Sequence, residues 1–150
     1  MNHRKTDSGI PVPLKICHSS ARVYFEEWDE PMISGIGWVS ELIEAAGGVD
    51  IFADRASCKS AKDRIVTAEE VIGEEPDIII GSWCGKKFRP EKLAKRPGFD
   101  RIPAVKCGAL HEIKSPLILQ PGPAPLTDGL AALQAIIANA SSWKTVAVVE

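Results

Sequence analysis

DIIIGSW, Asp77–Trp83, is the stretch on which the fold turns. Successive residues of a strand point to opposite faces, so three isoleucines in a row offer apolar side chains to both. A strand without polar alternation belongs inside a parallel sheet that helices cover on both sides. Just upstream, Thr67 and Glu70 form a capping-box pattern, which sets a helix from about Ala68 to Glu75, ended by Pro76 and Asp77. Further back, SGIGWVSELIEAAGG (34–48) spaces Ile36, Val39, Leu42, Ile43 and Ala46 as one helix face. Ser34 opens that helix and Gly47-Gly48 closes it. A short apolar stretch, VDIF (49–52), follows, and ADRASCKSAKDR (53–64) reads as a loop. RVYFEEW (Arg22–Trp28) has the aromatic and β-branched content of a strand, broken by DEP at 29–31.

Downstream, Pro90 suits the first position of a short helix, PEKLAKR, stopped by Pro97-Gly98. AVK, Cys107-Gly108 and ALHEI read as two short strands about a tight turn. LTDGLAALQAIIANA (126–140) predicts an apolar-faced helix whose tail suits packing against a partner. Alternating strands and helices call for an α/β fold: a three-layer αβα single lobe with a mostly parallel central sheet, Rossmann-like in plan. The expected organisation is an irregular leader at 1–21, a lobe over 22–140 and a tail at 141–150.

Composition narrows the function. The 150 residues carry 18 basic and 20 acidic side chains, a formal charge of −2 that supplies no general field for nucleic acid. No apolar run approaches the roughly 18 residues of a bilayer span. Cys17, Cys58, Cys84 and Cys107 are scattered without a Cys-x-x-Cys pair. With His3, His18 and His111 they complete no zinc pattern, so no metal site is expected. The leader lacks the apolar core of an export signal, and the chain as written is expected to have no signal peptide.

GSWCGKKF, Gly81–Phe88, holds the chemistry-bearing residues. A dithiol site needs a second cysteine three residues after Cys84, where Lys87 stands. A single nucleophilic Cys84, with Lys86 or Lys87 lowering its pKa and His111 as base, defines an alternative: a small cysteine-dependent enzyme. The glycines and lysines do not follow the order of a phosphate-binding loop. Position is more telling, because ligands of open parallel sheets sit outside the carboxyl ends of strands. Trp83 lies past one such end, and Glu26, Glu27 and Trp28 past another, although either tryptophan reads equally well as buried core. Trp38, inside a helix pattern, belongs to the core.

The ordered set YFEEWDEPMISGIGWVSELIEAAGGVDIF, RIVTAEEVIGEEPDIIIGSW, IPAVKCGALHEI and ILQPGPAPLTDGLAAL resembles the carboxy-terminal lobe of the cobalamin- and iron-siderophore-binding proteins of ABC importers, the class III periplasmic binding proteins. The wording SWCGK is most similar to cobalamin (vitamin B12) binders. The resemblance runs from about Arg22 to Ala138. It implies a non-catalytic receptor that holds its ligand between two lobes joined by a long helix, needs no cofactor of its own, and works in the periplasm. No counterpart of the amino-terminal lobe precedes Arg22, so a truncated chain or a separate polypeptide supplying that lobe is expected.

Residue by residue, the resemblance implies an aromatic on the corrin face after the first strand, Phe25 or Trp28, beside Glu26. It places Trp83, Cys84 and Lys86 on a cleft-facing loop and Gln120 against the amide fringe of the ligand. The loop Ser57–Asp63 lacks the aromatic that relatives carry there. Glu69, with Glu70 beside it, is implied to dock on arginines of the transporter's permease; carboxylates in a first helical turn are also favoured simply by the helix dipole. The expected ligand is cobalamin or a related corrinoid, the alternative a siderophore or haem. Cys84 and His111 are ligand types that suit cobalt.

Overall fold

The computed structural model describes residues 20–149, with side chains as far as residue 140. The leader expected at 1–21 therefore lies almost entirely outside the described residues. Strand β1 is Arg22–Asp29, and a turn at Glu30-Pro31 leads into β2, Met32–Ser34. Helix α1 (Gly37–Ala45) precedes β3 (Val49–Asp50) and a short helix α2 (Ala53–Ala56). A 3-10 turn at Ala61–Arg64 leads to α3 (Ala68–Glu74) and β4 (Ile78–Gly81). Helices α4 (Pro90–Ala94) and α5 (Pro103–Cys107) come before β5 (Leu110–Glu112), and α6 (Ser115–Ile118) before α7 (Asp128–Val149).

The sheet is mostly parallel, as the unbroken isoleucine run requires. β4 lies between β1 and β5 and pairs parallel with both, Phe25 opposite Ile80 and Ile80 opposite His111. At its other edge β1 pairs parallel with β3 and antiparallel with β2. Because β3 and β4 lie on opposite sides of β1, the chain reverses direction across the sheet there. That is the switch point at which open α/β sheets form a crevice.

Two cores sandwich the sheet. Val23, Phe25, Ile78 and Ile80 meet Val39 and Ile43 of α1, Ile118 of α6 and Leu133 and Ile137 of α7. On the opposite face Tyr24 and Ile79 meet Val71 of α3, Leu93 of α4, Phe99 and Ile102. Trp38 packs at the edge of the first core and donates its indole N–H to the Ile118 carbonyl at 2.8 Å.

The capping box at Thr67 is formed in both directions. Four expectations need correction. Ser34 does not open α1; it is buried in β2 with its hydroxyl on the Arg64 carbonyl at 3.1 Å, and Ile36 stands at the N-cap. AVK is helical: Pro103 begins α5 and Gly108, at φ +73°, ends it, with Ala109 N–H returning to Ala104 O at 2.8 Å. The segment 53–64 is two short helical turns rather than a loop. The last helix begins at Asp128 and continues to Val149, past the boundary at 140.

Candidate functional site: the rim between the first and fourth strands

The carboxyl ends of β1 and β4 run side by side and stay bonded beyond the strands. Ser82 N–H donates to Glu26 O at 2.9 Å, and Cys84 N–H to Glu27 O at 3.3 Å. The end of β1, residues 27–29, and the loop 82–88 thus share one rim, and the indoles of Trp28 and Trp83 both stand beside Lys86 there.

Strand periodicity splits the predicted residues between faces. Phe25 is 1 % exposed and belongs to the first core, so it offers no surface to a ligand; the aromatic at this strand end is Trp28, half-buried at the rim. Glu26 points the other way and is 0 % exposed. Its carboxylate takes both guanidinium nitrogens of Arg96 at 2.8 Å, the Trp83 indole N–H at 3.0 Å and the Tyr24 hydroxyl at 2.7 Å. Glu26 is therefore a structural anchor, correcting the expectation of a ligand contact. Burial and then Glu26 push the Tyr24 phenol well above its ordinary pKa. Burial opposes the charge of Arg96, yet the bond to Glu26 raises its pKa on balance.

Trp83 is only 3 % exposed, packed edge-on to Phe88 with ring centroids 5.0 Å apart. Phe88 occupies the space over Gly81, where an added Cβ would come within 2.0 Å of the ring. An edge of Trp83 still reaches a cleft of about 340 Å³ lined with Gly85, Lys86, Lys87, Glu112, Lys114 and Ser115. The Lys86 ammonium lies 2.7 Å from Asp29 Oδ1, 4.5 Å from the Trp28 ring centre and 5.4 Å from that of Trp83. Lys92 approaches the second Asp29 oxygen at 3.9 Å. Burial by itself would raise the Asp29 carboxyl, but the Lys86 contact brings it below its ordinary pKa.

Cys84 is exposed beside this cleft without lining it. Of the two lysines expected to activate its thiol, Lys86 is paired with Asp29, and Lys87 makes no ion pair among the described residues. His111 sits within β5, and burial lowers its pKa. Gln120 is exposed in the loop behind α6 and is not part of the cleft wall. Sequence reasoning missed Asp29, Lys114 and Glu112, and named Lys87 only as a neighbour of the Cys84 thiol; Asp29 was legible only as a strand-breaking residue.

Glu69 and Glu70 are on α3, where they line a second hollow of about 530 Å³ with Asp54, Arg55 and Glu74, and this hollow shares no lining residue with the cleft. Glu70 is engaged by Arg55 and by the Thr67 backbone, and the Arg55 contact lowers its pKa. Glu69 is exposed.

Among solved structures, a possible iron-binding (periplasmic solute-binding) protein from Staphylococcus epidermidis is 27 % identical with a TM-score of 0.66, over 80 % of this chain and 46 % of that one. The vitamin B12 binding protein BtuF of Vibrio cholerae is 21 % identical, with a TM-score of 0.62 over 81 % of this chain and 45 % of its own. The haem-binding protein RhuT of Roseiflexus is 22 % identical, with a TM-score of 0.65 over 81 % and 47 %. This chain thus spans about half the length of these structures. No curated protein sequence matches it. Members of the family are substrate-binding proteins of transport systems rather than enzymes. The family model described as "Periplasmic binding protein" matches residues 12–117, and the chain belongs to that family.

Proposed function

We propose that the chain is a solute-binding lobe of an ABC importer's receptor, taking a broad, flat, metal-bearing ligand against the rim formed by β1 and β4. The observation that carries this reading is the rim itself: two strand ends adjoin at the switch point, with two indoles around one ammonium beside an open cleft. An aromatic face buries ring area, and the few polar groups around it fix orientation. Cobalamin, on the wording of SWCGK, stands level as a candidate with haem or a ferric siderophore. The ligand is cargo, released unchanged.

On the same reading the receptor works in an extracytoplasmic compartment, and Glu69 is the better candidate of its pair to meet a permease arginine, because Glu70 is held by Arg55 and Thr67. A second lobe, on the same or another polypeptide, would close the cleft. A ligand gripped from one side loses much of its buried area while the entropic cost of capture remains. Titrating the chain with cyanocobalamin, haemin and a ferric catecholate chelate while following tryptophan fluorescence tests the proposal. Saturable quenching by one of them is expected, and competition ranks the three. Absence of saturable quenching by all three would refute it.

A further inference from the structure

The cleft is strongly basic in a chain whose overall charge is −2. Lys86, Lys87 and Lys114 line it against a single carboxylate, Glu112. Glu112 is turned toward the backbone, accepting the Phe88 N–H at 3.1 Å. Lys87 and Lys114 are exposed and make no ion pair among the described residues. Lys86 differs from both, because its ammonium is seated. The buried Asp29 fixes it at 2.7 Å, and two indole rings draw it by their quadrupoles. Its side chain is nevertheless 42 % exposed, so the fixed charge is presented to the cleft. Lys92 supplies Asp29 with a second cation, leaving part of the Lys86 charge for a ligand. A positioned cation loses less freedom on meeting an anion than a waving one.

We propose that Lys86 determines the charge of the ligand this cleft accepts: it selects a flat molecule with an anionic edge, a carboxylate above all, over a neutral, amide-fringed one. This rests on the reading of the rim as the ligand site. The anion meets the seated ammonium while the ring lies along the edge of Trp83 that lines the cleft, and Lys87 and Lys114, also in its wall, add attraction. A partly exposed ion pair is worth roughly 1.5- to 5-fold in affinity, so a ligand with two carboxylates gains on the order of tenfold.

Three probes decide it on the full chain: haemin, its dimethyl ester, which keeps the ring and removes both charges, and cyanocobalamin. Affinities are measured by fluorescence quenching at about 20 mM and about 500 mM salt, where screening shortens sharply. Haemin should bind about tenfold tighter than the ester at low salt, with the gap closing at high salt. Lys86→Met should shrink the haemin-to-ester ratio several-fold, and Lys86→Arg should keep it. Circular dichroism verifies that each variant is folded; if Lys86→Met is not, the salt series on the unaltered chain decides. Equal affinity for haemin and ester, or a ratio unmoved in Lys86→Met, would overturn charge selection while the rim stands as a ligand site. Failure of all three probes to bind would overturn charge selection, and failure of the ferric catecholate chelate as well would overturn the rim as a ligand site.

Discussion

Glu26 carries a charge at a position without solvent, and four donors make that tolerable. Two nitrogens of Arg96, the Trp83 indole and the Tyr24 hydroxyl fill the roughly four lone-pair sites of a carboxylate. Isolated, such a group would be expensive to bury; paired and fully bonded, it fixes the Trp83 loop to the segment after α4. Glu26→Gln should therefore destabilise the chain by about 3–5 kcal/mol, because it leaves the Arg96 guanidinium unpaired and turns an amide donor toward other donors. Urea unfolding would show this as a lower midpoint with an unchanged slope, and near-UV dichroism should show Trp83 in an altered environment. A loss below about 1 kcal/mol would contradict the anchor role. At this scale the sequence was half legible. The period of two separates Phe25 from Glu26 for any reader who trusts the strand. The partner that gives Glu26 its role, Arg96, stands 70 positions away, and no local pattern announces it.

Elements were read best where several signals coincided. β4 was marked by its isoleucine run, α3 by a capping box, and α1 by helical spacing with Gly47-Gly48 at its end. Short elements were read worst, since three to five residues carry little periodicity. β2 has three residues and owes its existence to β1 and to a bridge from Ile33 to Ile65. α5 has five residues, and its apolar side chains would serve a strand equally well; Pro103 and Gly108 were the signals that decided it. Gly81 shows how an element end shapes the site. It faces Phe88 without a side chain, so the ring rests directly on the strand and abuts Trp83. Gly81→Ala should push Phe88 off the strand at a cost of about 1–3 kcal/mol, the usual range for overpacking. The same substitution should weaken ligand quenching, because Trp83 loses the ring that braces it. Thermal unfolding and titration on one preparation would test both, and a stable variant with unaltered near-UV dichroism would contradict the packing argument.

For the whole molecule, one sheet separates two cores that share no buried side chain among the described residues, and its strands face both. Ile80 faces the layer of α1 and α7, and its neighbour Ile79 faces the layer of α3 to α5, both at 0 % exposure. Register lets a single strand supply both cores, which is why the three-layer plan was legible from DIIIGSW. If the sheet couples the layers, the lobe unfolds as one unit, as small domains generally do. Ile79→Val and Ile80→Val should then each cost about 0.5–1.5 kcal/mol and move the same single transition. Their effects should add in the double variant, since the two side chains point away from each other and have no shared partner in the cores. Urea curves by far-UV dichroism and by tryptophan fluorescence should coincide for all three variants. A curve that splits, with Ile80→Val moving one step and Ile79→Val the other, would show two layers that melt independently. It would also leave the rim without the rigid base that a binding surface needs, because Trp28 and Trp83 keep their relative positions only while β1 and β4 remain paired.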